Sequence, residues 1–202
     1  MVRGKDLEWL NLGKLDRLEY LELSYHYEIG DHTIKELSKL KHLTHLDLEE
    51  NQGITDLSPL SELPHLLFLN IREMKNLEKI FTQSDSLVCL KTTSNLGRVL
   101  ENSENFFLPS LEEICFDDDK NLSEKTIGMI LSFPSLKRIS FFDCNIKINW
   151  FENIKKSKTL ELIQFNVKFL LIFVFSNYCF LFFIFILIFE IFLFIFIYFF
   201  LF

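Results

Sequence analysis

The sequence predicts an α/β solenoid: one curved sheet of short parallel strands, with short helices or 3-10 turns that return the chain along the convex side. Three observations predict it. An apolar-x-x-apolar-x-apolar pattern recurs at a nearly constant step, which is typical of a repeat architecture. The segments between its occurrences carry helical spacing or prolines. The composition then changes near residue 168, where an apolar tail begins.

The repeated pattern predicts the strands. It occurs seven times, the fourth time more weakly because Thr92 takes the last apolar position. The first residues of successive occurrences are 25, 23, 21, 24, 25 and 24 positions apart. Residues i and i+2 of a strand point to the same side, so the last two apolar residues of each pattern face inward together. The occurrences are Leu18/Leu21/Leu23, Leu43/Leu46/Leu48, Leu66/Leu69/Ile71, Leu87/Leu90/Thr92, Leu111/Ile114/Phe116, Leu136/Ile139/Phe141 and Leu160/Ile163/Phe165.

The segments between the strands predict the return path. Apolar residues of segment 31–40 follow a helical spacing behind Asp31, a candidate N-cap, and the same spacing follows Ser123. Pro59 interrupts another return segment and predicts a looser or 3-10 turn there. A proline two residues before a strand stops the preceding helix and favours extended backbone. Three prolines occupy this position, two residues before a repeat pattern begins: Pro64, Pro109 and Pro134.

The unit L-x-x-L-x-L-x-x-N/C resembles that of the leucine-rich-repeat family over about residues 7 to 168. In that family the closing Asn or Cys bonds backbone groups of the turn. It is present here as Asn51, Asn95 and Cys144, and is replaced by His26, Met74, Asp119 and Lys168. Segment 121–146 is similar to the cysteine-containing subtype common in F-box substrate receptors, although no F-box precedes the repeats. The triplet Leu7/Leu10/Leu12 predicts a partial repeat or a truncated cap.

Composition argues against several classes of function. Through Lys168 the chain has 21 basic and 27 acidic residues, whereas nucleic-acid binders usually present a basic face. The four cysteines form no Cys-x-x-Cys pair or disulfide framework, which favours free thiols in a reducing compartment. The N-terminal residues contain no apolar stretch typical of a signal peptide.

No motif predicts catalysis, a metal, a cofactor or a small-molecule substrate. The acidic run that begins at Asp117 opens like a calcium loop, but Leu122 and Gly128 stand where an EF-hand needs Gly and Glu. The chain has six glycines and no phosphate-binding loop. We therefore expect a non-enzymatic protein without cofactors.

The outward positions of the predicted strands form the candidate binding surface. The resemblance implies a concave face that binds a protein partner. Aromatic side chains beside charged ones are typical of protein interfaces, while the alternative is that charge at these positions serves only solubility. The candidate contact residues are Tyr20, Glu22, Tyr25, His45, Asp47, Glu49, Phe68, Arg72, Glu113, Asp117, Arg138 and Phe142.

The tail, residues 169–202, holds 14 Phe, 7 Ile and 6 Leu, with Glu190 as its one charged residue. Since a helix of about 20 apolar residues spans a bilayer, the tail predicts a C-terminal apolar helix, with 178–202 as the candidate membrane span. Lysines before it favour a cytoplasmic repeat domain. Two alternatives stay open. T- and A-rich codons encode this composition, so the tail resembles translated noncoding sequence, and such a segment could instead be buried or aggregate.

Together these patterns divide the chain into a repeat domain of about seven units, residues 1–168, and the tail, residues 169–202. They predict an interaction scaffold for a protein partner. The F-box resemblance suggests, more finely, a substrate-recognition fragment of a ubiquitin ligase adaptor. The alternative is a tail-anchored membrane adaptor or a receptor-like leucine-rich-repeat protein.

Overall fold

The computed structural model describes residues 15–101, 105–147, 150, 159–167 and 170–175. Within them eight strands form one sheet in chain order; the first seven are parallel, and the eighth is antiparallel to the seventh. The seven parallel strands confirm the predicted strand positions and the repeat solenoid. The strands are β1 Tyr20–Glu22, β2 His45–Asp47, β3 Phe68–Asn70, β4 Cys89–Lys91, β5 Glu113–Asp117, β6 Arg138–Phe142, β7 Leu162–Val167 and β8 Leu170–Phe175.

Short helical segments return the chain between strands, as predicted. They are α1 Asp31–Leu37, the 3-10 helix η1 Ser58–Glu62, α2 Leu96–Glu101 and α3 Glu124–Ile130. Ser123 caps α3, because its Oγ accepts a hydrogen bond from the Thr126 N–H at 3.2 Å. Pro59 stands in the first turn of η1, where its fixed φ fits and no N–H is missed. The sequence did not predict α2.

The predicted N-cap Asp31 is wrong. Gly30 is the N-cap of α1, and Asp31 is the first helical residue. Its carboxylate instead accepts hydrogen bonds from the Thr55 N–H at 2.7 Å, the Thr55 hydroxyl at 2.7 Å and the Asp56 N–H at 3.0 Å. Three donors of the next repeat compete for this carboxylate, and they outweigh the local cap. Asp31 therefore ties two repeats together.

Two inward columns of side chains form the core between the sheet and the return segments. The first column is aliphatic throughout. The second changes from aliphatic to aromatic along the solenoid: Leu23, Leu48, Ile71, Thr92, Phe116, Phe141 and Phe165. Phe141 stacks on Phe116 and on Phe165, with ring centroids 5.5 and 5.4 Å apart. Thr92 marks the change, and its buried hydroxyl has no hydrogen-bond partner.

We expect Thr92→Val to stabilise the fold by about 1 kcal/mol, because it removes an unsatisfied buried hydroxyl and keeps the shape. Thr126→Val is the matched control. The Thr126 hydroxyl is buried too, but it lies 3.0 Å from the Ser123 hydroxyl, so its loss should destabilise. Urea unfolding of both variants measures the two signs, and a destabilised Thr92→Val would contradict the expectation.

The closing position of the repeat bonds the turn backbone where Asn is present. The Asn51 side chain is fully buried; its Nδ2 donates to the Leu23 and Leu48 carbonyls at 2.8 Å, and its Oδ1 accepts from the His26 N–H at 3.2 Å. Asn95 also donates to two backbone carbonyls, but these belong to Lys75 and Leu77, at 3.1 and 2.8 Å, which are not the counterparts of Leu23 and Leu48. These contacts agree with the role that the leucine-rich-repeat resemblance implied.

Where another residue replaces Asn, the turn is held differently. Asp119 has no amide to donate, and its carboxylate accepts from the Gly97 N–H at 2.7 Å and the Asn121 N–H at 2.8 Å. Met74 is fully buried and fills the position with apolar atoms. The Cys144 thiol donates to the Phe142 carbonyl at 3.3 Å. Lys168 lies outside the described residues.

The start of the apolar tail is a strand, and the predicted apolar helix lies further along the chain. Residues Leu170–Phe175 pair with β7 in antiparallel register, from Val167↔Leu170 to Leu162↔Phe175. β8 thus lies beyond the predicted domain boundary at residue 168, and the division into two domains stays a prediction. The candidate span 178–202 and the triplet Leu7/Leu10/Leu12 lie outside the described residues. In the part of the chain that is described, no helix has the length and apolar character that a membrane crossing requires.

Candidate protein-binding face

The outward positions of the strands form columns across the sheet, because neighbouring strands pair in constant register. We call the surface that they form the open face. Its first column is Tyr20, His45, Phe68, Cys89, Glu113 and Arg138; its second is Glu22, Asp47, Asn70, Lys91, Cys115 and Ser140. A third column continues two residues further along the chain, with Ser24, Glu49, Arg72, Thr93, Asp117 and Phe142.

Aromatic rings fill the first three positions of the first column. His45 stacks between Tyr20 and Phe68, with ring centroids 5.7 and 5.8 Å apart and interplanar angles of 29° and 22°. We call these three residues the aromatic ladder. At its inner end, Lys91 Nζ lies 5.3 Å from the centroid of the Phe68 ring, within range of a cation–π contact. At its outer end, Tyr20 is 60% exposed.

The ring of His45 is held by its neighbour. The Thr44 hydroxyl donates to the Glu19 carbonyl at 2.9 Å and lies 2.8 Å from His45 Nδ1. The same carbonyl also accepts from the backbone N–H groups of Thr44 and His45, at 2.8 and 3.0 Å. The contact with the Thr44 hydroxyl holds the orientation of the His45 ring.

Carboxylates lie beside the ladder in a hydrogen-bonded network. Asp47 accepts from the Ser24 hydroxyl at 2.8 Å, from the Glu49 N–H at 3.0 Å and from Asn70 Nδ2 at 2.9 Å. Asn70 Nδ2 also donates to Glu49 Oε2 at 3.0 Å. Three successive repeats contribute to this network, which holds the two carboxylates in fixed positions. A face ordered in this way loses little side-chain freedom on binding.

Arg72 links carboxylates of two repeats that are not adjacent. Its Nη2 lies 2.9 Å from Glu49 Oε2, and its Nη1 lies 3.7 Å from Asp117 Oδ2. Thr93 stands between Arg72 and Asp117 in the column and is fully buried. Burial opposes the charge of Arg72, but the hydrogen bond and the charges of Glu49 and Asp117 outweigh it and raise the Arg72 pKa. Burial also raises the pKa of Asp117, and the nearby guanidinium offsets only part of that rise.

The two halves of the open face differ in charge balance. In the half built from β5 and β6, Glu113 and Arg138 pair across neighbouring strands at 2.9 Å and neutralise each other. The acidic Asp117 and Asp118 of this half lie 3.7 and 2.9 Å from Arg72 and Lys120, respectively. In the half built from β1 to β3, negative charge dominates. The nearby Glu49 raises the pKa of the Tyr25 phenol, with smaller contributions from burial and from Glu50. The potential at the ladder end of the face is therefore negative.

The backbone repeats a left-handed residue just after the strands. Tyr25, Glu50, Glu73, Asp118 and Asp143 all have φ between 51° and 64°. Such a conformation is uncommon for residues other than Gly, Asn and Asp. Because the bend recurs in equivalent positions of five repeats, it places a row of mainly acidic side chains along the edge of the open face.

The described residues show no arrangement suited to metal binding or to thiol chemistry. No group of three or more His, Cys, Asp or Glu in them could hold a metal ion. Burial raises the pKa of Cys89 to about 11 and of Cys115 and Cys144 to about 12. These thiols are protonated near neutral pH, and the thiol form is a poor nucleophile.

The structure thus brings together most of the predicted contact residues. Tyr20, His45 and Phe68 stack, Asp47 and Glu49 share one network with Arg72, and Arg72 also reaches Asp117. Of the other candidates, Glu113 pairs with Arg138, and Phe142 lies beside Asp117 on the neighbouring strand. Tyr25 lies near Glu49, and Glu22 is exposed at the end of β1. The choice of candidates omitted Asn70 and Lys91, although the strand pattern puts both on the same face. Both residues stand at outward-facing positions of the predicted strands, and this alternation could have identified them. The binding role of all twelve residues stays a prediction.

No family model matches the chain, and the search of curated proteins finds no match. Among solved structures, the chain is similar to an internalin from Listeria monocytogenes, with 20% sequence identity and a TM-score of 0.44. The similarity covers 76% of this chain and 44% of the internalin chain. This chain therefore matches less than half the length of the internalin.

Proposed function

We propose that this protein is a non-enzymatic interaction scaffold that binds a protein partner through the open face. The observation that supports it most is the aromatic ladder beside the network of Asp47, Glu49 and Arg72. Aromatic and arginine side chains are enriched among the residues that dominate binding energy at protein interfaces. The hydrogen bonds among Asp47, Glu49, Asn70 and Arg72 order this surface before any partner arrives, which lowers the entropy lost on binding.

The chemistry of the described side chains supports a scaffold rather than an enzyme. Catalytic cysteines need a lowered pKa, whereas burial raises the pKa of all three described thiols. The titratable side chains at the centre of the face, Asp47, Glu49 and Arg72, bond one another and their neighbours. These contacts hold the side chains of the open face in fixed positions.

The double substitution Tyr20→Ala with Phe68→Ala should abolish recovery of the main partner. Removing two of the three rings of the ladder deletes most of its aromatic contact surface while leaving the net charge unchanged. Affinity purification of the full chain from its own cells, followed by quantitative mass spectrometry, measures the loss.

The matched control is Glu124→Ala with Lys125→Ala. Both residues are exposed at the start of α3, outside the open face, and their joint removal also leaves net charge unchanged. The control should retain the partner. A partner that survives the ladder substitutions, or that is lost equally from the control, would refute binding through the open face.

The composition of residues 178–202 supports a second candidate, a tail-anchored membrane adaptor with the repeats in the cytoplasm. We expect the full chain to sediment with membranes and a chain that ends at Asn177 to stay in the supernatant. In sealed vesicles, protease should remove the repeats. Protected repeats would exclude the cytoplasmic orientation, and equal sedimentation of both chains would exclude anchoring by 178–202. The finer role as a ubiquitin ligase adaptor rests on the resemblance of segment 121–146.

A further inference from the structure

We propose that the β1–β3 half of the open face binds a basic segment of its partner, whose arginine or lysine side chains lie across the aromatic ladder and against the carboxylates beside it. The inference rests on the proposed function, because it names the chemistry of the partner at the same face.

The ladder is a platform for cations. The faces of aromatic rings carry negative electrostatic potential and attract ammonium and guanidinium groups. The chain itself already uses one end in this way, since Lys91 Nζ lies 5.3 Å from the Phe68 ring centroid. At the other end Tyr20 is 60% exposed. That end offers the same kind of surface to a cation from outside the chain.

The charges around the ladder select a basic partner. Glu22, Asp47, Glu49 and Glu50 lie on or beside strands β1 and β2, and Glu22 is exposed. Arg72 approaches this group but is engaged by Glu49 and Asp117. The raised pKa of Tyr25, caused first by Glu49, reports the negative potential that results. An acidic segment would be repelled here, whereas a basic one gains opposite charges.

The hydrogen-bonding groups beside the ladder favour the same partner. The carboxylates of Asp47 and Glu49 are acceptors. Arginine and lysine side chains carry donors and no acceptors. The exposed carboxylate of Glu22 is also an acceptor. A donor-rich side chain therefore fits the platform by shape, charge and hydrogen bonding.

The probe is a fluorescein-labelled peptide of four arginine–glycine repeats, titrated with the full chain in non-ionic detergent and followed by anisotropy. A glutamate–glycine peptide of the same length is the comparison. We expect the arginine peptide to bind at least about tenfold more tightly. Tyr20→Leu should weaken its binding about fivefold, and Tyr20→Phe should retain it, because the ring face is what attracts the cation.

Charge controls separate this site from general attraction by an acidic protein. Glu22→Gln should weaken binding of the arginine peptide about threefold, whereas Glu124→Gln, with the same change in net charge, should leave it unchanged. No binding of the arginine peptide, equal effects of the two glutamine variants, or full binding by Tyr20→Leu would each overturn the proposal. A partner lost on removal of the ladder, together with no arginine-peptide binding, would overturn this inference alone and leave the proposed function standing.

Discussion

Gly97→Ala should destabilise the protein by about 3 kcal/mol, although alanine is ordinarily the better helix former by about 1 kcal/mol. A Cβ atom at position 97 would lie 2.5 Å from the Asn121 carbonyl oxygen and 2.8 Å from the Leu122 nitrogen. Both contacts are with backbone atoms, which cannot rotate away as a side chain can. Either α2 or the loop before α3 must then shift.

That shift would also break a buried hydrogen bond. The Gly97 N–H donates to Asp119 Oδ2 at 2.7 Å, and Asp119 is fully buried. Burial already raises the pKa of this carboxyl, while its two backbone donors lower it. Losing one donor leaves a buried carboxylate less well paired, at a cost of about 1.5–3 kcal/mol that adds to the cost of overpacking.

Urea unfolding of the full chain in non-ionic detergent measures the effect of Gly97→Ala. Gly128→Ala is the matched control, because Gly128 is half-exposed within α3. There the same substitution should be neutral or stabilising. Unchanged stability of Gly97→Ala would show that the close approach of α2 to residues 121 and 122 is absent from the folded protein.

Phe141→Ala should destabilise the protein by about 3–5 kcal/mol, the range typical of a fully buried aromatic ring. Phe141 is 2% exposed and stacks on Phe116 and Phe165, so its removal leaves a cavity between two rings that strands β5 to β7 hold apart. Because three consecutive repeats meet at this ring, the effect should extend over the C-terminal half of the sheet.

The neighbouring substitution Phe142→Ala is the control. Phe142 is half-buried and points to the open face, on the opposite side of the same strand. Phe142→Ala should lower the free energy of unfolding by about 1 kcal/mol or less, since less buried surface is lost and no internal cavity forms. Equal losses of stability in the two variants would contradict the assignment of inward and outward faces in β6.

The sequence alone predicted the strands because their pattern is local. Period-two alternation puts Leu46 and Leu48 inside and Asp47 outside whatever the rest of the chain does. The constant step between patterns then predicts a stack of parallel strands in register, and the structure confirms it for Leu21 through Ile163. Ser123 and Pro59 also act within their own segments, and both were assigned correctly. The same alternation also predicts which residues lie on the open face.

Only the tertiary structure decided which outward residues act together. The contacts of Arg72 with Glu49 and with Asp117 join residues 23 and 45 positions away, and depend on how the repeats stack. Asp31 was misread as a cap because its three donors belong to the next repeat.

The tail shows the same limit. Its apolar composition is compatible with a membrane-spanning helix and with a buried strand. Residues 170–175 form a strand because they pair with the edge of β7. Local pattern predicts where the parallel strands lie. Contacts between repeats and between strands decide what the elements build.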